Sequence, residues 1–118
     1  MRHLPEGGLK EDIPYKIRPK SGYANSYGRL WWDKPSTTIT RNFGTPSSAR
    51  CVHPKIDRAL TTREGARLQS FPDHYKFYGS RAKRNLQIGN AVPPLLGEVI
   101  GKQIKKSPNF AQRLPRRF

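Results

Sequence analysis

Prolines and helix-capping residues bracket one stretch of this chain so closely that its backbone has few options. Residues 58 to 96 read RALTTREGARLQSFPD, then a polar connection, then QIGNAVPPLL. In the first string Thr61 is a good N-cap, and Glu64 stands three residues on, where its carboxylate reaches back to the N–H of the cap. The same carboxylate favours the positive end of the helix dipole. A helix therefore starts after Thr61 and has to stop near Ser70, because Pro72 disfavours helical backbone at Phe71. In the second string Gly89 ends a short polar helical segment, Asn90 and Ala91 turn the chain, and Pro93-Pro94 opens a new helix where proline is tolerated.

Two further helices follow from the same reasoning. Ser80 is an N-cap for the segment that ends before Gly89, and Arg81, Lys83 and Arg84 make that segment strongly basic. Over 93 to 106 the residues Leu95, Leu96, Val99, Ile100 and Ile104 recur at helical spacing, while Glu98, Lys102, Lys105 and Lys106 fall elsewhere. Ser107-Pro108 stops this amphipathic helix. The tail from 107 to 118 reads as frayed and basic.

The upstream half reads differently. Tyr27 and Arg29 to Trp32 suit a strand, Asp33-Lys34-Pro35-Ser36 a turn, and Thr37 to Arg41 a β-branched return strand, so residues 23 to 41 predict a β-hairpin. Ile39 is expected to join a tryptophan in the core, and packing is favoured over base stacking for Trp31 and Trp32. Residues 1 to 22 form an arm rich in Pro, Gly and Lys, with a helical turn near 9 to 12. If this arm is extended, Lys16, Arg18 and Lys20 point one way, either tracking a phosphate backbone or simply solvated. The fold class expected is α+β: a small domain with a hairpin or small antiparallel sheet and short helices, followed by the amphipathic helix.

Charge decides the partner class. The formal net charge is +15 on 118 residues, with only 34% apolar residues. That is below the usual apolar share of about 45–50%, so the core is small, and self-repulsion would be relieved by a polyanion. Nucleic acid is the leading partner. The loop from 42 to 57 carries small and polar residues that suit close approach to DNA, since hydroxyls bind phosphate and arginine binds phosphate or a guanine edge. The candidate DNA contacts are Arg29, Lys34, Thr40, Arg41, Ser48 and Arg50, with no base assigned to any of them.

Other chemistry is thinly supported. The single cysteine, Cys51, allows no internal disulfide and no Cys-based zinc cluster. A Cys51/His53 pair can be drawn, with Arg50 lowering the thiol pKa, but a lone cysteine is more often a small buried apolar residue. His74 beside Asp73 has no third partner in view and reads as a solvent-facing turn. There is no metal site, no apolar run at the N-terminus and no stretch long enough to span a membrane. The single cysteine is consistent with a reducing cytoplasm.

The two strings, with YGRLWWDKPSTTITRNF upstream of them, resemble the C-terminal part of the DNA (cytosine-5) methyltransferase family over roughly residues 22 to 101. RALTTREGARLQSFPD and QIGNAVPP are similar to its ninth and tenth motifs. That family adds a cysteine thiolate to C6 of a flipped cytosine so that C5 can take a methyl group from S-adenosylmethionine. The chain has no FxGxG, Pro-Cys, Glu-Asn-Val or QxRxR, so the first eight motifs and every catalytic residue are expected on another polypeptide. Cys51 does not follow a proline and does not match the nucleophile. Together with Met1, the resemblance implies the small subunit of a split enzyme or a truncated product.

By position, the resemblance puts Asn90, Ala91 and Val92 nearest S-adenosylmethionine, and has the final helix dock on a separate Rossmann-like catalytic domain. Arg63 and Arg67, one turn apart, can face phosphate or brace neighbouring carbonyls. The resemblance implies a brace made by Thr61, Arg63, Glu64 and Arg67. The implied division is an arm over 1–22, a recognition domain over 23–88, a returning segment over 89–106 and a tail over 107–118. The implied partners are duplex DNA and a catalytic methyltransferase subunit, in restriction–modification. The competing expectation is a stand-alone basic nucleic-acid-binding protein with a steep salt dependence and little sequence preference.

Overall fold

Thr61 caps the first helix as its position in the sequence predicts. Its side chain accepts from the N–H of Glu64 at 3.2 Å, and the Glu64 carboxylate accepts from the N–H of Thr61 at 2.8 Å. In the computed structural model, which describes residues 4–107, this helix is α1, Thr62–Leu68. It ends in a left-handed turn at Ser70, with φ of 61°. Ser80 caps α2, Arg81–Gly89, and Pro93-Pro94 opens α3, Pro94–Lys106. Single 3-10 turns occupy Lys10–Asp12 and Tyr15–Ile17 in the arm.

The expected hairpin is not there, and the α+β class is corrected with it. Among the described residues there is no strand, only isolated bridges joining Val52 to Arg29 and to Ala59. Backbone around 28–30 is already taken: Leu30 N–H donates to Val52, Val52 N–H to Gly28, and Arg29 N–H to Gly8. Tyr27 adopts a φ of 59°, which a strand cannot run through. On the other side, Thr40 C=O accepts from Phe43 in a tight turn. The β-branched run from 37 to 40 packs through Ile39 and makes no ladder.

The core is gathered mostly from irregular segments. Leu30, Ile39, Phe43, Cys51 and Leu60 are buried together with Ala66 of α1 and Ile88 of α2. Leu4, Ile13 and Val52 are buried as well, so the N-terminal arm lies on this chain's own body. Its Tyr15–Ile17 turn breaks the extended run expected for Lys16, Arg18 and Lys20, and Arg18 donates back to the carbonyls of Ile13 and Glu11. Leu30 takes the core position expected for a tryptophan. Trp31 is half-buried under the arm, and Trp32 is exposed.

Close contacts fix α1 and α2. Thr62 Oγ1 donates to Asn85 Oδ1 at 2.8 Å, and Gln69 Nε2 donates to the carbonyl of Ile88 at 3.2 Å. A Cβ on Gly65 would overlap the Phe43 ring, and one on Gly89 would overlap the backbone of Thr40 and Arg41. Phe71, Tyr75 and Phe77 stack with centroids 4.9–5.1 Å apart and hold the turn after α1.

The third helix stands apart. It contacts neither α1 nor α2, and its one hydrogen bond to the body among the described residues runs from the N–H of Leu95 to Ser70 Oγ at 3.2 Å. The molecule measures 65 × 29 × 26 Å. None of the helices among the described residues is long and apolar enough to cross a membrane. Past Ser107 the basic tail lies outside the described residues.

Candidate nucleic-acid interface and partner face

Two of the six candidate DNA contacts are inside the protein. Arg29 is 4% exposed. Its guanidinium donates to the carbonyls of Leu4, His53 and Ile56 and pairs with Asp57. Arg50 is also buried: it donates to the carbonyls of Gly7 and Arg29 and lies 4.2 Å from the centroid of Trp31. Burial lowers its pKa from the ordinary arginine value. Both arginines satisfy carbonyls that irregular backbone would otherwise leave without partners, so both hold the loops in place.

The other four are at the surface. Lys34 is exposed, with Nζ 5.6 Å from the Trp31 centroid. Thr40, Arg41 and Ser48 are exposed on the segment between the Ile39 and Arg50 anchors. Thr40 and Ser48 share a shallow cleft with Tyr23, Asn25, Thr38 and one edge of Arg50. Lys34 lies outside that cleft, beside Trp32 and Arg67.

The four residues expected to brace are all engaged. Besides closing the cap, Glu64 takes two hydrogen bonds from Arg58, at 2.7 and 2.8 Å. Arg58 and the Thr61 cap together hold the Glu64 carboxyl down at about 2. Arg67 forms a two-bond pair with Asp73, which lowers the pKa of Asp73. Arg63 donates to the carbonyl of Tyr75 at 3.1 Å. Thus α1 is tied to the segment before it through Arg58 and to the turn after it through Arg63 and Arg67.

Sequence reasoning missed Arg58, Asn85, Gln69 and Ser70 as positioning residues. Asn85 carried a signal, since it lies three residues from Ile88 on one helical face. Arg58, six residues before its partner, carried none.

The Asn90–Val92 turn is accessible. Asn90 is exposed, and its side-chain amide makes no hydrogen bond among the described residues. Ala91 lines a groove with Gln69, Pro93 and the segment from 35 to 39, while Val92 is 63% exposed. Beyond it, Leu95, Leu96, Val99, Ile100 and Ile104 of α3 are 44–65% exposed. Cys51, by contrast, is 1% exposed, and burial pushes its thiol up to about 11. His53 does not approach as a base: its Nδ1 accepts from the N–H groups of Lys55 and Ile56.

Known proteins are similar in sequence. The chain is 52% identical over 108 residues to the type II methyltransferase M.AgeI of Thalassovita gelatinovora, covering 89% of this chain and 24% of that protein. It is 42% identical over 106 residues to M1.HphI of Haemophilus parahaemolyticus, covering 90% of this chain and 27% of the relative. A DNA (cytosine-5)-methyltransferase 1 of Mus musculus is 43% identical over 94 residues, or 79% of this chain and 6% of that protein. The chain spans about a quarter of the length of the two bacterial relatives. The pattern that defines the C-5 cytosine-specific DNA methylases matches residues 9–106, and the chain belongs to that family.

Proposed function

We propose that this chain supplies DNA recognition and one wall of the cofactor site to a DNA (cytosine-5-)-methyltransferase that acts on duplex DNA in restriction–modification. The catalytic subunit carries the first eight motifs, the nucleophilic cysteine among them. Residues 23–88 are the recognition part and residues 89–106 the segment that returns to the catalytic subunit. The observation that carries this reading is the uncovered apolar face of α3, directly after the Asn90–Val92 turn. An amphipathic helix that has left its own body has its apolar stripe free for another one.

The turn suits the role assigned to it. S-adenosylmethionine, when bound, supplies the electrophilic methyl group. The free Asn90 amide offers a donor and an acceptor to the polar part of that ligand, and Ala91 and Val92 offer apolar contact. At the DNA, Thr40, Arg41, Ser48 and Lys34 are the contacts we retain. Arg50 anchors the end of the loop that carries Thr40, Arg41 and Ser48, and Arg29 ties Leu4 to the 53–57 segment.

The test is association. Leu96→Glu with Val99→Glu changes two exposed side chains, so the isolated chain keeps its melting temperature. Co-purification with the catalytic subunit disappears. Unchanged co-purification contradicts the assignment of α3.

A further inference from the structure

Four arginines converge on a cleft away from the Thr40–Ser48 surface. Arg58, Arg63, Arg81 and Arg84 line it with Thr61 and Thr62, and no carboxylate stands among its lining residues. Arg58 is committed to Glu64. Arg63 uses one nitrogen on the Tyr75 carbonyl, and its other terminal nitrogen is buried without a partner. Arg84 Nε is likewise buried without a partner. The side chain of Arg81 makes no hydrogen bond or ion pair among the described residues. Three cationic side chains thus crowd one cleft with donors left over. Buried donors without partners cost free energy, and like charges held together repel each other. An anion in the cleft resolves both.

We propose that this cleft binds a backbone phosphate of the DNA duplex, at a second contact distinct from the surface carrying Thr40, Arg41 and Ser48. The proposal rests on the DNA-recognition reading above and extends it. Continuity favours a DNA phosphate over a free anion. Gly44 lines the cleft and packs against Asn85 and Arg81. It belongs to the same loop, 40 to 48, that carries the exposed Arg41 and whose Thr40 and Ser48 line the other cleft. One loop therefore contributes to both clefts, which ties the arginine cleft to the proposed DNA surface. Contacts of this kind set register and affinity without reading bases.

The experiment is duplex binding by the full chain, followed by fluorescence anisotropy over a sodium chloride series. Removing one phosphate contact reduces the slope of log K against log salt by about 1. Arg81→Gln with Arg84→Gln is expected to weaken binding about tenfold or more, alike for unrelated duplexes, and to flatten the slope by about 1. Arg81→Lys with Arg84→Lys keeps the charge and restores most of the slope. Arg81→Gln alone, an exposed change with no internal partner, flattens it by about 1 and tests the idea should the double variant fold poorly. An unchanged slope in both glutamine variants overturns this site and leaves the DNA reading standing, whereas no duplex binding by the wild type overturns both. A thermal shift with inorganic phosphate that the glutamine variants lose, with their DNA slope unchanged, marks a free-anion site and also overturns the proposal.

Discussion

Gln69 donates its side-chain amide to the backbone carbonyl of Ile88 at 3.2 Å, so the end of α1 holds the last turn of α2. One residue later, Ser70 accepts from the N–H of Leu95. The two strings that stand out in the sequence are thus one device, in which the end of RALTTREGARLQS grips both sides of the Gly-Asn-Ala-Val turn. Ser70→Ala removes the hydrogen bond that aims α3, at a partly exposed site, and is expected to cost stability by no more than about 1 kcal/mol. Its effect should emerge instead as weaker association with the proposed catalytic subunit, measured by titration calorimetry. Equal association for both proteins would show that α3 needs no aiming.

Gly65 is constrained by contact, not by its backbone angle. Alanine there gains up to about 1 kcal/mol of helix propensity. It also drives a methyl into Phe43, and such overpacking costs about 1–3 kcal/mol. Gly65→Ala therefore lowers the denaturation midpoint, whereas Gly97→Ala in α3, with open space around it, raises helix content. Circular dichroism in urea checks both signs.

Arg29 and Arg41 look alike in the sequence and should behave oppositely. Arg29→Met leaves Asp57 and several carbonyls without their donor, and losing one partner of a buried pair costs about 3–5 kcal/mol. Asp57 is half in solvent, so the lower end applies. The result is a poorly folded chain whose DNA binding falls because its loops are lost. Arg41→Met, at an exposed position, leaves the melting temperature unchanged and weakens duplex binding alone.

Glu64 gives the fold an acid limit. Its carboxyl titrates at about 2, against an ordinary value of 4.5, because Arg58 and the Thr61 cap hold the charged form. A carboxyl with a depressed folded pKa stabilises fully above its unfolded value and stops doing so as pH falls through the folded one. The gap in melting temperature between wild type and Glu64→Gln should be constant above pH 4.5 and close as pH falls towards 2. A gap that widens in acid contradicts this assignment.

The helices were legible because their signals are local. Thr61, Glu64, Ser80 and Pro94 each act within a turn of their own position, and each is where the cap and proline rules put it, whereas α2 runs through Gly89 and is capped by Asn90. The hairpin was not legible. Trp31 and the β-branched run after it have strand propensity, but propensity cannot show that Gly8 and Val52 have already taken the backbone of 28–30. The arginines failed for the same reason: a charge count reads Arg29 and Arg50 as surface, while long-range carbonyls and Asp57 draw them in. Thr61, Arg63, Glu64 and Arg67, in and beside the capped helix α1, each make a side-chain hydrogen bond within the chain. The candidate site residues that depended on loop packing had to be sorted by the fold.

If this chain completes a cytosine-5 methyltransferase that it cannot constitute alone, activity must emerge only on mixing. The decisive measurement is transfer of labelled methyl from S-adenosylmethionine to duplex DNA by the chain, by the catalytic subunit, and by the two mixed. Each alone should give background counts. The mixture should give methylated cytosine, and Asn90→Ala should reduce it. No gain on mixing with an authentic catalytic subunit contradicts the proposed role and leaves a basic nucleic-acid-binding protein.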